Sequence, residues 1–109
     1  MAADGDLGIV MRIHRVRAEI VVAACDAELV GQRLPLGPAG GTTHISGQFY
    51  GDRRVAVEEL VTAVRRCTIA NLLGSRTCRV VQQAGLLEEE QTGTLGGVPH
   101  AEIVSIPEV

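Results

Sequence analysis

Hydrophobic and polar residues alternate from residue 7 to residue 13, and this period of two predicts a half-buried β-strand. Residues 20–25 are apolar at every position, which is typical of a central strand covered on both faces. Only a short link around residues 15–17 separates the two segments, so we expect them to form an antiparallel hairpin.

A different spacing marks the middle of the chain. Between residues 57 and 64 the apolar side chains recur every three or four positions, which predicts an amphipathic helix. Asp52 is the expected N-cap of this helix, and Ser75 is the expected N-cap of a second helix that ends at Gly85. Asp26 is expected to cap a short helical turn directly after the second strand.

The remaining segments complete the predicted architecture. Residues 43–50 and 101–106 predict two further strands, whereas the pattern at residues 68–74 fits a helix and a strand equally well. Prolines and glycines make residues 35–42 a flexible loop, and residues 1–6 are expected to be frayed. We therefore expect an α+β fold, with a small, mostly antiparallel sheet of about four strands and two helices packed on one face.

The composition is that of a single globular domain over residues 1–109, with 46% hydrophobic and 21% charged residues. A net charge of -3 argues against a surface built throughout for nucleic acid, and a single Phe and a single Tyr argue against a base-stacking platform. All ten basic residues are arginine, however, so a local patch could contact RNA or ribosomal components. The candidates for such partner contacts, which are also compatible with ordinary solvated charges, are Arg15, Arg17, Arg53 and Arg54.

The cysteines and the apolar runs indicate whether the protein holds a metal or cofactor and in which cellular compartment it lies. Cys25, Cys67 and Cys78 lack the spacing of paired metal ligands, so we expect neither a metal nor a cofactor. There is no signal-peptide pattern, and no apolar run approaches the ~20 residues that a membrane span needs. Unpaired thiols suit a reducing compartment, so we expect a cytoplasmic protein without membrane contact.

Cys25 and Asp26 lie where the central strand ends, and strand ends are where functional loops gather. A thiol there is a candidate nucleophile if a base lowers its pKa, and His100 is a candidate for that base. The alternative is a buried cysteine that fills space beside a carboxylate that caps the next turn. Cys25, Asp26 and His100 are therefore the candidate catalytic residues.

A second set of residues is suited to hold a ligand. Asn71 lies within an apolar run, where leaving its amide unpaired would cost about 1–3 kcal/mol. Gly96 and Gly97, just before His100, could point their N–H groups at one anion, as in a backbone nest. The structural interpretation of Asn71 is an amide that closes the chain locally, and that of Gly96 and Gly97 is a tight turn.

Blocks at residues 24–26, 49–51, 68–74 and 96–101 resemble, in this order, a small archaeal family known as domain of unknown function 424. The resemblance implies no activity or cofactor, and it favours a role around RNA or the ribosome. The chain departs from the family pattern at residues 16–17, where a glycine pair is expected. It also has Cys67 where a small alanine is usual, which implies that this cysteine packs rather than reacts.

Three hypotheses follow. The first is a non-enzymatic binding module of the archaeal cytoplasm, associated with RNA or translation through its arginines. The second is a small enzyme of acyl or amide transfer with Cys25 as nucleophile, His100 as base and Asn71 as the orienting residue, a known division of labour. The third is a homodimer that pairs through a sheet edge or a helix face. The sequence leaves open whether the protein is an enzyme.

Overall fold

The computed structural model describes residues 7–105. The segment expected to be frayed, residues 1–6, lies outside the described residues. Within the described chain, the strands and α-helices follow in the order β1 (Ile9–Val16), β2 (Glu19–Asp26), β3 (Arg33–Pro35), β4 (Thr42–His44), α1 (Gly47–Tyr50), α2 (Val57–Arg66), β5 (Ile69–Leu73), α3 (Ser75–Gln83), β6 (Gly93–Leu95) and β7 (Val98–Val104).

Five strands form a mixed central sheet in the order β1-β2-β5-β7-β6. β1 and β2 form the predicted antiparallel hairpin, but β2 and β5 run parallel, with α2 in the crossover between them. β7 then pairs antiparallel with both β5 and β6. The α+β class is therefore confirmed, whereas the expected sheet of about four mostly antiparallel strands is one strand too small and lacks the parallel pair.

The run at residues 68–74, which fitted a helix and a strand, contains strand β5. Its backbone is bonded on both sides, by β2 and by β7, so that Asn71 lies in register between Ala23 and Glu102. An apolar run buried between two neighbours is typical of a central strand. The fifth strand, β6, escaped the sequence analysis because it is only three residues long.

The two longer helices, α2 and α3, pack on the same face of the sheet. Leu60 and Val64 of α2 and Val81 of α3 share one buried cluster with Val22 and Leu72 of the sheet. The opposite face is covered by the β3–β4 hairpin and by α1, which contribute to a second buried cluster. Both faces are therefore covered, and no helix in residues 7–105 has the length and apolar content needed to span a membrane.

The predicted third strand at residues 43–50 is wrong in its second half. β4 ends at His44, and the chain then forms the short helix α1, because the Ser46 hydroxyl accepts a hydrogen bond from the Gln48 N–H. Gly51 follows with a φ of +78°, a conformation that favours glycine and ends the helix.

The predicted N-caps are also wrong, because contacts between distant segments replace the local ones. Asp52 does not cap α2, which begins at Val57 after the 53–55 segment has paired with the outer edge of β1. Ser75 is the first residue of α3 and makes no capping hydrogen bond. Asp26 is followed by a 3₁₀ turn, Ala27–Leu29, to which its side chain does not bond.

The Asp26 carboxylate instead caps α3, a helix that begins about fifty residues later in the chain. It is 3% exposed and accepts hydrogen bonds from the Thr77 N–H at 2.9 Å, the Thr77 hydroxyl at 2.8 Å and the Arg76 N–H at 3.3 Å. A carboxylate at a helix N-terminus satisfies free N–H groups and complements the helix dipole. This contact joins the end of β2 to the start of α3.

Gly74 makes that approach sterically feasible. A Cβ atom on Gly74 would lie 2.2 Å from Cγ of Asp26, and the residue has a φ of +111°. Only glycine tolerates both the close contact and the backbone conformation. The glycine at the end of the apolar run is therefore needed by the carboxylate at the end of β2.

We predict that Asp26→Ala lowers the free energy of unfolding by about 2–4 kcal/mol, because it leaves buried donors of Thr77 unpaired at a helix N-terminus. Asp26→Asn should cost less, since its one carbonyl oxygen can still accept both hydrogen bonds of Thr77. Chemical denaturation of the variants measures both values. Equal stability of the wild type and Asp26→Ala would contradict the role of the carboxylate.

A double-mutant cycle tests the contact with Gly74. We expect Gly74→Ala to destabilise the wild type strongly and to cost less in the Asp26→Ala background, because the clash with the carboxylate is then removed. The backbone strain at Gly74 remains in both backgrounds and serves as the internal reference. Strictly additive effects would show that the two residues do not interact.

Candidate functional site

Cys25 and Asp26, neighbours at the end of β2, point to opposite faces of the sheet. Asp26 reaches α3, whereas Cys25 is buried in the second cluster, under β3, β4 and α1. The Cys25 thiol donates to the backbone oxygen of Asp26 at 3.2 Å. Burial, reinforced by the negative charges of Asp26 and Glu28, raises the pKa of Cys25 from 9.0 to about 12. The thiol is therefore protonated and inaccessible.

The structure does not assemble Cys25, His100 and Asn71 into a catalytic group. Cys25 pairs in register with Leu73, and Leu73 pairs with His100, so one strand separates the thiol from the imidazole. Two strand spacings place the backbones of Cys25 and His100 about 10 Å apart. Among the described residues no hydrogen bond joins the side chains of Cys25 and His100.

Asn71 is half-buried on the same sheet face as Cys25, two residues before Leu73 in β5. Its side-chain amide makes no hydrogen bond within the described part of the chain, although its backbone lies in register with Ala23 and Glu102. The amide therefore does not close the chain locally, which was its structural interpretation. It stays a candidate ligand contact.

Gly96 and Gly97 form the two-residue turn between β6 and β7. Their φ values of +59° and +81° are those of a tight hairpin turn, which requires residues that tolerate positive φ. Gly96 also packs against β3, since a Cβ there would lie 2.8 Å from Cβ of Leu34. Pro99 follows in a trans peptide bond. The glycines thus have a structural role in this hairpin.

A groove of about 880 Å³ lies between the outer side of β1 and helix α2, and we call it the β1–α2 groove. Its apolar lining comes from both sides of the groove and its rim carries charges of both signs. The apolar members are Met11, Ile13, Ile20 and Ala63, and the polar members are Arg12, Arg15, Asp52, Arg53, Glu58, Glu59, Thr62 and Arg66, with Gly51 between them.

The backbone of β1 is open along part of this groove. Near the start of β1 the outer edge is occupied, because Met11 donates to the Arg53 oxygen at 3.1 Å and Val55 donates to the Ile9 oxygen at 3.0 Å. Antiparallel ladders alternate, so the N–H and C=O groups of Ile13 and Arg15 point to the same outer side. No backbone group of residues 7–105 bonds to them there.

The arginines predicted for partner contacts are divided by the fold. Arg15 and Arg53 both line the β1–α2 groove, and Arg53 forms an exposed ion pair with Glu59. Arg54 lies on the other side of its segment, beside Gly8. The pKa of Glu28 is lowered mainly by the hydrogen bond from Arg76, to which the charge of Arg54 adds. Arg17 lies in the hairpin turn with a φ of +57°, a backbone conformation that favours glycine.

Arg12, which clusters with Arg15 and Arg17 in the sequence, and Arg66 also line the groove. Arg12 donates to the Gln48 backbone oxygen at 3.2 Å, and Arg66 lies in the last turn of α2. For Arg66 the sequence carried a signal, because this residue follows Glu58 and Thr62 at intervals of four residues on one helix face. No group of three or more His, Cys, Asp or Glu residues within positions 7–105 is arranged to hold a metal ion.

All three cysteines should be inert towards thiol reagents in the folded protein. Burial raises the pKa of Cys78 to about 11 and that of Cys67 above its ordinary value. We predict that a colourimetric thiol reagent at pH 8 titrates no thiol in the native chain and all of them in denaturant. Rapid reaction of native Cys25 would contradict this and would revive the nucleophile hypothesis.

The same pKa values predict a pH dependence of stability. A folded pKa above the unfolded one means that the thiols stabilise the fold fully below pH about 9, and that this contribution is lost as the pH rises towards the folded values of about 11 and 12. The melting temperature should therefore fall above pH 9, and Cys25→Ala should reduce the slope. A slope unchanged by the substitution would contradict the assignment.

Comparison with known proteins agrees with this picture of the fold. Residues 14–106 match the family model described as "Protein of unknown function (DUF424)". The chain is also similar to a crystal structure of an uncharacterized conserved protein from Methanopyrus kandleri, with 34% identity and a TM-score of 0.80 over 93% of this chain and 94% of that one. No curated protein matches the sequence. The chain therefore belongs to the DUF424 family of proteins of unknown function.

Proposed function

We propose that this protein is a non-enzymatic binding module whose binding surface is the β1–α2 groove. The observation that carries the proposal is the coincidence of an open backbone edge, at Ile13 and Arg15, with the large groove beside it. An exposed strand edge offers unpaired N–H and C=O groups to another chain. The groove adds apolar contacts at Ile13 and Ala63 and charges along its rim.

The geometry argues against the enzyme hypothesis. A nucleophilic cysteine needs thiolate character and access, whereas Cys25 is fully buried and its pKa is raised to about 12. Asp26, the other candidate beside it, is occupied by the N-terminus of α3. Cys25, Asp26 and His100 are all absent from the lining of the groove, so no predicted catalytic residue is available to a ligand bound there.

The form of the groove favours a ligand that is extended rather than compact. A segment laid along β1 would exchange hydrogen bonds with Ile13 and Arg15, as in strand addition to a sheet edge. Its side chains would alternate between the groove, where Ala63 and Thr62 lie, and the opposite side. An extended polypeptide therefore uses more of this surface than a small molecule would.

RNA is the second candidate partner, and the free arginines favour it. Arg15 and Arg66 form no ion pair in the part of the chain that the structure describes, so their guanidinium groups are available to phosphate. A role near translation in an archaeal cytoplasm would fit such contacts. The net charge of -3 and the acidic residues in the same groove count against RNA.

A photocrosslinking amino acid placed at Thr62 tests the proposed surface. Thr62 is exposed in the groove, and we expect the probe there to yield a discrete adduct in cell extract. The same probe at Arg79, an exposed position on α3, is the matched control and should yield none. Equal adduct patterns at both positions, or none at Thr62, would contradict the proposal.

Fluorescence anisotropy with a labelled single-stranded RNA tests the second candidate. If RNA binds here, Arg15→Gln with Arg66→Gln should weaken binding about tenfold or more and lower the salt dependence by about two phosphate contacts. Arg79→Gln, which removes one exposed arginine elsewhere, is the control. Identical affinities for the three proteins would exclude RNA recognition through the groove.

A further inference from the structure

We infer that the partner of the β1–α2 groove is an extended acidic peptide, which adds as an antiparallel strand to the open edge of β1 and places a carboxylate between Arg15 and Arg66. This inference rests on the proposed function, because it names the chemistry of the partner for the same surface. It is carried by the position of the free charges in the groove and by the side-chain pattern that the edge imposes on an added strand.

The direction of α2 follows from the two segments that flank it. Before the helix, Val55 donates to the Ile9 oxygen at the start of β1. After the helix, Thr68 donates to the Ile20 oxygen, and Ile20 is the register partner of Arg15 near the end of β1. Helix α2 therefore runs in the same direction as β1, with its first turn beside the covered part of the edge and its last turn beside the open part.

The ion pair between Arg53 and Glu59 sets the level of the helix more closely. The backbone oxygen of Arg53 accepts the Met11 N–H, so Glu59 lies near the level of Met11. Arg66 comes two turns later in α2, about 10 Å along the helix axis, and this equals about three residues of a strand. Arg66 therefore lies near the level of His14, in the middle of the open edge.

The free positive charge of the groove is concentrated at this level. Arg15 and Arg66 line the groove and form no ion pair within residues 7–105. Glu59 is neutralised by Arg53. Glu58 is about 12 Å from Arg66 along the helix axis, which exceeds the Debye length of ~8 Å at physiological ionic strength. The open edge is therefore a basic site, although the groove as a whole carries charges of both signs.

The two other charged residues of the groove, Arg12 and Asp52, offset each other. Together they also line a second, smaller pocket beside α1. Arg12 is held there by the hydrogen bond that it donates to the Gln48 backbone oxygen. The excess of positive charge thus comes from Arg15 and Arg66.

An antiparallel strand on this edge has a defined side-chain pattern. Its residues that face Ile13 and Arg15 exchange backbone hydrogen bonds with them, and their side chains point into the groove. The residue facing Arg15 is within reach of both free arginines, so Glu or Asp is favoured there. The residue facing Ile13 covers a side chain that is 42% exposed, which favours an apolar residue. Because the strands run in opposite directions, the acidic residue precedes the apolar one by two positions.

A peptide uses groups on this surface that RNA would leave unsatisfied. The open N–H and C=O groups of Ile13 and Arg15 have the spacing of a β-strand, and the backbone of another polypeptide repeats that spacing. The exposed side chain of Ile13 gains an apolar contact as well. Charge complementarity at Arg15 and Arg66 then favours an acidic peptide over a neutral or a basic one.

Selection from a displayed library of random short peptides tests the inference. On the wild type we expect enrichment of Glu or Asp two positions before Val, Ile or Leu. On the variant Arg15→Glu with Arg66→Glu, Lys or Arg should replace the acidic residue, because the charge of the site is reversed. Arg33→Glu with Arg79→Glu is the control matched in net charge. It changes two exposed arginines outside the groove and should select the same peptides as the wild type.

A synthetic peptide from this selection tests strand addition itself. N-methylation of the residue that faces Arg15 removes an N–H that bonds to β1, and it should weaken binding about tenfold or more in fluorescence anisotropy. N-methylation of the next residue, which faces His14 and points its N–H away from β1, is the matched control and should have little effect.

A library without enriched peptides, enrichment without the acidic residue, or a preference unchanged by the two reversed charges would overturn the inference. Equal effects of N-methylation at the two positions would overturn it too. Circular dichroism of each variant establishes that it is folded. The proposed function fails separately: if the probe at Thr62 crosslinks to RNA or to another macromolecule, the groove stays the binding surface and only the acidic peptide is lost. Without a selected peptide and without an adduct at Thr62, both are lost.

Discussion

The Asp26 carboxylate at the N-terminus of α3 is the contact on which the rest of the fold depends. It ties the end of β2 to the junction between β5 and α3, and Gly74 leaves the space that it needs. The parallel pairing of β2 and β5 places those two ends next to each other. Asp26, a candidate catalytic residue in the sequence, thus has a structural role, and the open surface lies instead at the outer edge of β1.

The second constraint is the crossover that returns the chain from β2 to β5. Before α2 begins, the 53–55 segment covers the first part of the β1 edge, and it stops at Met11. The remaining edge at Ile13 and Arg15 lies open beside α2, and the β1–α2 groove is the space left between them. A short, charged edge of this kind is tolerated in a folded protein and is also a ready surface for pairing.

The sequence pattern predicted the strands and helices whose formation depends on residues close together in the chain. The alternation in β1, the apolar run of β2 and the helical spacing of α2 were all visible, since each reflects which face is buried. Contacts between distant segments were not visible in the sequence. The capping partner of Asp26 lies about fifty residues away, and the separation of Arg54 from Arg53 depends on pairing with β1. The groove was missed because Arg15 and Arg66 are distant in the sequence and line one groove only after the crossover forms.

The central claim is that the edge of β1 at Ile13 and Arg15 is open in the single chain and is the place where it binds. Hydrogen exchange resolved at single amides measures this directly. In dilute protein the account predicts rapid exchange at Ile13 and Arg15 and slow exchange at Arg12 and His14, which bond to β2, with protection of the first pair rising as a partner binds. Slow exchange at Ile13 and Arg15 in dilute protein, or none of that protection at any concentration of protein or partner, would contradict it.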